Sequence, residues 1–259
     1  MTGWRALDDE LNAWAADGRR ASLWWRDDDA AEDAPALQRL LALASDAAPS
    51  LVLAVIPATL NDDATHRIGT GVGKHWWVVQ HGYAHANHAR DNEKKIELGG
   101  GHSAALCETQ LESGRAILSQ RFANHFLPAL VPPWNRIAPG LIPRLAALGY
   151  AALSTYGARD AAQPVSSLKQ INCHVDILNW RAGATFLGEN EALKLACEHL
   201  KARREGKADC GEPTGLLSHH LQQDEAAWRF LPEFFARTMD HPGAHWIDPV
   251  TLFNTGAAA

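Results

Sequence analysis

The sequence contains no CxxC pair. Its four cysteines, Cys107, Cys173, Cys197 and Cys210, stand far apart. That spacing excludes a zinc ribbon and a thioredoxin motif, and it suggests no disulfide framework, so a reducing compartment is expected. An excess of basic residues is also missing. Twenty-four Lys and Arg against 30 Asp and Glu leave a formal net charge of -6, which argues against a broad surface for nucleic acid or other polyphosphates. No apolar run is long enough to span a bilayer. The longest, about residues 47–60, is broken by Pro49, Ser50, Pro57 and Thr59. The first ten residues lack a basic stretch followed by an apolar one, so no signal peptide and a cytoplasmic protein are expected. No GxSxG is present, which argues against a serine hydrolase of that type. No Ser/Pro-rich linker or internal repeat divides the chain. Residues 1–259 therefore read as a single domain, with residues 256–259 as a frayed tail.

What is present suits a globular enzyme. Apolar residues make up 46% of 259 positions and charged residues 21%, enough for a sizeable core without covalent staples. There are 13 histidines and 10 tryptophans. Histidine ligates metals and carries protons near neutral pH. Tryptophan fills cores or stacks on sugar rings.

Helical spacing of Trp4, Leu7, Leu11 and Trp14, closed by Gly18, predicts an N-terminal helix over about 4–17. Further helices are expected from Pro35, from Ser103 to Phe122, over Pro139–Leu148, over Glu189–Arg204, and over about Asp224–Arg237 with a kink or break at Pro232. Apolar runs predict strands at Ser22–Trp25, Leu51–Ile56, Trp76–Val79, Leu127–Val131, Ala151–Thr155, Ile171–Val175 and Gly215–Ser218. Seven alternations of near-continuous apolar strands with helices predict one α/β domain with a parallel sheet covered on both faces. A barrel is preferred to an open doubly wound sheet.

Polar clusters recur just past these strands: Asp27-Asp28-Asp29, His81 to His88, Pro132 to Arg136, His174 to Trp180, and His219-His220. In parallel α/β folds active sites lie at the carboxyl ends of strands, so five such clusters would share one cleft. Three adjacent carboxylates repel one another unless they are solvated or neutralised by a cation. A helical turn would bring His81 and His85 to one side, a two-histidine metal grip. His88 fits a surface or supporting place better than a third ligand. HExxH is not met, because Gly82 stands where the glutamate would. Two histidines and one aspartate leave open positions for water and substrate, the mark of a catalytic metal site. Gly69–Lys74 lacks GxxxxGK[ST] and reads as a plain loop. Lys201–Arg204 complements a helix end.

The ordered set resembles the polysaccharide deacetylase family, also called the NodB-homology or carbohydrate esterase 4 group. Arg26-Asp27-Asp28-Asp29 matches its first motif, His81 and His85 its second, and Val131-Pro132-Pro133-Trp134 part of its third. Asp176 and Trp180 match the fourth, Leu216 and His219 the fifth. The resemblance covers about residues 22–222. It implies a distorted (β/α) barrel, often seven-stranded, and metal-dependent removal of an N-acetyl group from an amino sugar.

Carried over, Asp29, His81 and His85 would hold one divalent metal, zinc by default, with cobalt, nickel or iron as alternatives. Asp28 would be the base and His219 the acid, with Asp176 paired to His219. The backbone N–H of Trp134 would serve the oxyanion. Trp134, Pro133, Trp180 and Tyr83 would line the substrate cleft. Three points stay open. The aspartates can be read one position earlier, with Asp27 as base and Asp28 as ligand. His220 can displace His219. The third-motif arginine is Val131 here, leaving Arg26 or Arg136 as substitutes. The partner expected is a small-molecule or oligosaccharide substrate. A small cyclic amide, or a non-catalytic sugar- or protein-binding role, are the alternatives.

Overall fold

The structure is a computed structural model that describes residues 3–46 and 48–253. The expected tail at 256–259 lies outside the described residues. The elements in chain order are α1 (Trp4–Ala16), β1 (Ala21–Ala30), α2 (Pro35–Asp46), β2 (Leu51–Val55), α3 (Asp62–Gly69), β3 (Trp76–His81), α4 (Ala104–Phe122), β4 (Phe126–Val131), β5 (Ala152–Leu153), β6 (Lys169–Gln170), β7 (Val175–Asp176), β8 (Leu178–Asn179), β9 (Thr185–Phe186), α5 (Glu189–Arg204), β10 (Thr214–Ser218), α6 (Glu225–Met239), β11 (Ala244–Trp246) and α7 (Pro249–Phe253).

The main sheet runs β6-β5-β4-β3-β2-β1-β10-β7, every pair parallel, and β11 adds to β1. Its two end strands, β6 and β7, are separated by only residues 171–174, a reach of about 18 Å at most. The sheet is therefore curled into a barrel-like α/β fold. The expected count of seven strands is corrected to eight along this path. The strand read at Ile171–Val175 resolves into two short pairings on either side of it, and β11 had no run long enough to signal it. The expected helix over 139–148 is a 3-10 turn at Pro139–Arg144, because Pro143 denies it a backbone donor. In contrast, α6 runs through Pro232 without ending. Its buried face (Phe230, Leu231, Phe234, Phe235) offsets the lost hydrogen bond.

Side chains alternate across each strand, so one face of the sheet lines the interior and the other meets the helices. Trp24, Val52, Ala54, Trp77, Val79, Leu127, Ala129, Val131 and Leu217 pack together inside, floored by Leu252 and Phe253 of α7. Leu23, Trp25, Leu51, Leu53, Val55, Trp76, Val78 and Leu216 face outward and pack against α1, α2, α5 and α6. Trp24, Trp25, Trp76 and Trp77 are buried core residues, as the apolar runs predict. All four cysteines are free, as expected. Among the described residues no helix is long and apolar enough to cross a membrane.

Candidate metal centre

The interior parity continues to the carboxyl ends of the strands. Two residues beyond Trp24 is Arg26, and two beyond that is Asp28. Two beyond Val79 is His81, and two beyond Leu217 is His219. These side chains point into the mouth of the barrel, where Asp176 ends β7. Asp27 faces outward instead. It accepts from Ser218 Oγ at 2.5 Å and from His220 Nδ1 at 2.6 Å, and Trp25 Nε1 donates to Ser218 Oγ at 2.9 Å. His220 thus belongs to a buried brace between β1 and the end of β10. By this parity Asp28 and His219 face the cleft, and Asp27 and His220 do not.

Strict alternation would send Asp29 outward with Asp27. The register between β1 and β2 shifts between Asp27 and Ala30, and Asp29 adopts a φ of 74°. This bulge re-aims the carboxylate toward the cleft. His81 Nε2 then lies 3.1 Å and His85 Nε2 3.3 Å from the same oxygen, Asp29 Oδ1. His81 sits on the strand, but His85 is not on a helical turn as the spacing predicts. It follows Gly82 (φ 54°) in an irregular loop and has a φ of 54° itself.

The donor chemistry of this trio fits a metal ion. His81 Nδ1 is 3.0 Å from Val131 O. A carbonyl only accepts, so the neutral ring carries its proton on Nδ1 and presents a bare lone pair at Nε2. A lone pair facing a carboxylate oxygen at 3.1 Å is repulsive unless a proton or cation lies between. With a proton there His81 is an imidazolium: against the burial that would lower it, the carboxylates of Asp28 and Asp29 raise it, and its hydrogen bond and charge hold the Asp29 carboxyl well below the usual range although burial would raise that too. Burial and the neighbouring His81 lower His85, keeping it neutral.

Further charged and titratable side chains surround the trio. Asp28 is buried and grips Arg26 with both oxygens, at 2.8 Å to Nε and 3.0 Å to Nη2. Arg26 also donates to Ser154 Oγ (2.7 Å) on the far side of the barrel and to Asn135 Oδ1 (2.7 Å). Of the two arginines read as substitutes for the one absent at Val131, Arg26 is the one that contacts Asp28. Arg136 points elsewhere and donates to Lys95 O. His219 Nε2 lies 3.8 Å from Asp28 Oδ2, and Trp180 meets its ring edge-on at 4.7 Å. Asp176 accepts from Trp180 Nε1 at 2.8 Å and Leu178 N at 3.0 Å, bonds that place it near His219 without the direct pairing expected of the two. Burial, the largest influence on Asp176, raises its carboxyl.

Trp134, at φ 54°, lays its ring 4.5 Å from His85, and Lys95 Nζ stands 5.8 Å over its outer side. Pro133 packs against Gly82. Tyr83 engages this region through its main chain, accepting from Ala58 N and donating to Glu97. His88 stacks on His102 at 3.4 Å, apart from the trio. Sequence reasoning missed Ser154 and Glu97, which stand in no motif, and gave no role to Asn135 within the Pro132 to Arg136 cluster.

A second cluster, His174, His199 and Glu212, has similar spacing: 3.2 Å and 3.7 Å from the two Nε2 atoms to the carboxylate oxygens. Its proton pattern is the reverse. Gly215 N donates to His174 Nδ1 at 3.1 Å, so the neutral ring carries its proton on Nε2, facing Glu212. That pair needs no cation. Burial pushes His174 down to about 4, and Glu212 sits at about 2 because its two histidine contacts outweigh its burial.

No sequence-family model and no curated protein matches the chain. Solved structures do. A Mycobacterium smegmatis protein assigned to the polysaccharide deacetylases superposes with a TM-score of 0.61 at 17% identity, over 85% of each chain. The chitin deacetylase of Colletotrichum lindemuthianum gives 0.55 at 14%, over 91% of this chain and 88% of that one. A family 4 acetyl xylan esterase from Clostridium thermocellum, solved with a cobalt ion, gives 0.50 at 13%, over 92% and 93%. The chain has the fold of the polysaccharide deacetylases and carbohydrate esterase 4 enzymes.

Proposed function

We propose that the protein is a metal-dependent hydrolase that removes an acetyl group from an N-acetylated amino sugar. One observation carries this reading: a single carboxylate oxygen faces two imidazole nitrogens at 3.1 and 3.3 Å, one of them on a ring whose other nitrogen meets a backbone carbonyl, so that its neutral form offers a lone pair to a cation. Asp29, His81 and His85 would hold one divalent ion, zinc by default for this donor set. Bound there, such an ion polarises a carbonyl oxygen and acidifies a bound water.

The chain's own groups supply the rest. Asp28 takes a proton from the attacking water as its oxygen bonds to the carbonyl carbon. Arg26 fixes Asp28 in place by its two-point contact. The Trp134 N–H donates to the oxyanion. His219 gives its proton to the leaving nitrogen as the C–N bond breaks, releasing acetate and a free amine. Trp180, 48% exposed, offers a ring face at the cleft edge and holds His219 from the side. Arg26 supplies the cation whose absence from the third motif favoured a non-catalytic role.

The test is acetate release from N-acetylglucosamine oligomers, with elemental analysis alongside. Asp28→Asn should lower kcat by about 10²- to 10⁴-fold while retaining the metal. His81→Ala/His85→Ala should lose both. A wild type that takes up no divalent ion after zinc reconstitution sinks the proposal.

A further inference from the structure

The loop between His81 and His85 has no helix or strand to hold it, yet it must present His85 to Asp29. Its amides converge on one side chain. Glu97 is fully buried. Its Oε2 accepts from Tyr83 N at 3.0 Å, and its Oε1 accepts from Ala84 N at 2.7 Å and Ala86 N at 3.4 Å. Buried carboxylates persist only when so satisfied. The approach is close enough to constrain the sequence. A Cβ at Gly82 would stand 1.9 Å from Glu97 Oε2 and 2.5 Å from Pro133 Cδ. Glu97 is in turn anchored beyond the loop. Leu98 bridges to Ile137, and Ala138 N donates to Leu98 O at 2.8 Å. That ties the cradle to the segment following Trp134.

We propose that Glu97 is the positioning residue of the metal grip. Its carboxylate fixes the turn from Tyr83 to Ala86, holds His85 at its left-handed φ, and so sets the affinity for the divalent ion. The inference rests on the metal reading of Asp29, His81 and His85. Glutamine is the fitting probe. Glu97→Gln keeps the shape but replaces one accepting oxygen with an NH₂ that faces a backbone N–H.

The experiment is zinc titration of the full, chelator-stripped chain against a chromophoric competitor, with thermal melts and far-UV circular dichroism on each variant. Glu97→Gln should bind zinc about 10- to 100-fold more weakly than wild type. In a His85→Ala background the same change should alter affinity less than about twofold, because its effect runs through His85. A general structural role predicts equal losses in both backgrounds, or a lower Tm at unchanged affinity; either result overturns the assignment. Should Glu97→Gln not fold, Gly82→Ala displaces the same carboxylate from the opposite side. Weaker zinc binding by that variant supports the proposal, and unchanged binding overturns it. A wild type that binds no zinc defeats the metal reading itself. Zinc binding by wild type with an unaltered Glu97→Gln defeats only the role of Glu97.

Discussion

At the residue scale, adjacent histidines have opposite duties. His219 faces the cleft, and its Nδ1 is buried without a hydrogen-bond partner. His220 bonds Asp27 at 2.6 Å behind the sheet. His219→Ala should therefore abolish most turnover with little change in Tm. His220→Ala strips a buried carboxylate of one of its two side-chain partners, leaving Ser218, and should cost about 1–3 kcal/mol of stability. Parallel activity assays and thermal melts on the two variants check this; the reverse pattern would show that the parity assignment is wrong. This distinction was within reach of the sequence. Leu217 continues an apolar run, and counting two onward selects His219, just as Trp24 selects Arg26 and Asp28. What parity could not supply was Asp29. Its orientation depends on a bulge and a positive φ, and no local residue pattern announces either. Glu97 was equally hidden, since a glutamate followed by Leu98 and three glycines reads as surface loop until its three amide donors are seen.

At the scale of elements, long periodic segments were the legible part. Helix α5 covers Glu189–Arg204 as the pattern predicts. Of the two-residue pairings, β5 lies within the run read at Ala151–Thr155, whereas β6 was not legible, because it exists through its neighbouring strand and carries no run of its own. The His174–Glu212–His199 clamp lies among these short elements and ties β10 to α5. Its groups point one way on pH. His174 falls from 6.5 to about 4 and Glu212 from 4.5 to about 2. A depressed folded value stabilises the protein above the unfolded value, and that stability is lost as pH falls through the folded one. The clamp's contribution should be complete above about pH 6.5 and should fade between there and about pH 2. Replacing Glu212 with Gln should flatten this acid limb of a denaturation series. An unchanged slope would show that the clamp does not couple to folding.

At the scale of the whole molecule, the barrel has a polar mouth and an apolar floor. Phe253 meets Trp24 edge-on at 5.8 Å and, with Leu252, closes the interior cluster from below. Phe253→Ala should open a cavity there and cost about 3–5 kcal/mol by chemical denaturation. It should leave kcat of the surviving folded fraction nearly unchanged, because the floor does not touch the mouth. A loss of turnover without a loss of stability would contradict that separation.

The position of Arg26 carries a different kind of consequence. The cation that tethers the proposed base sits two residues upstream of it on one rigid strand, so base and tether move as a unit whatever the rim does. The segment Pro132–Arg136 contributes to that pair only a neutral amide oxygen, from Asn135. It is released from supplying charge to the reaction. Side chains of the rim that touch neither Arg26 nor the His81–His85 loop can therefore change with new ligands while the charge pair below them stays in place.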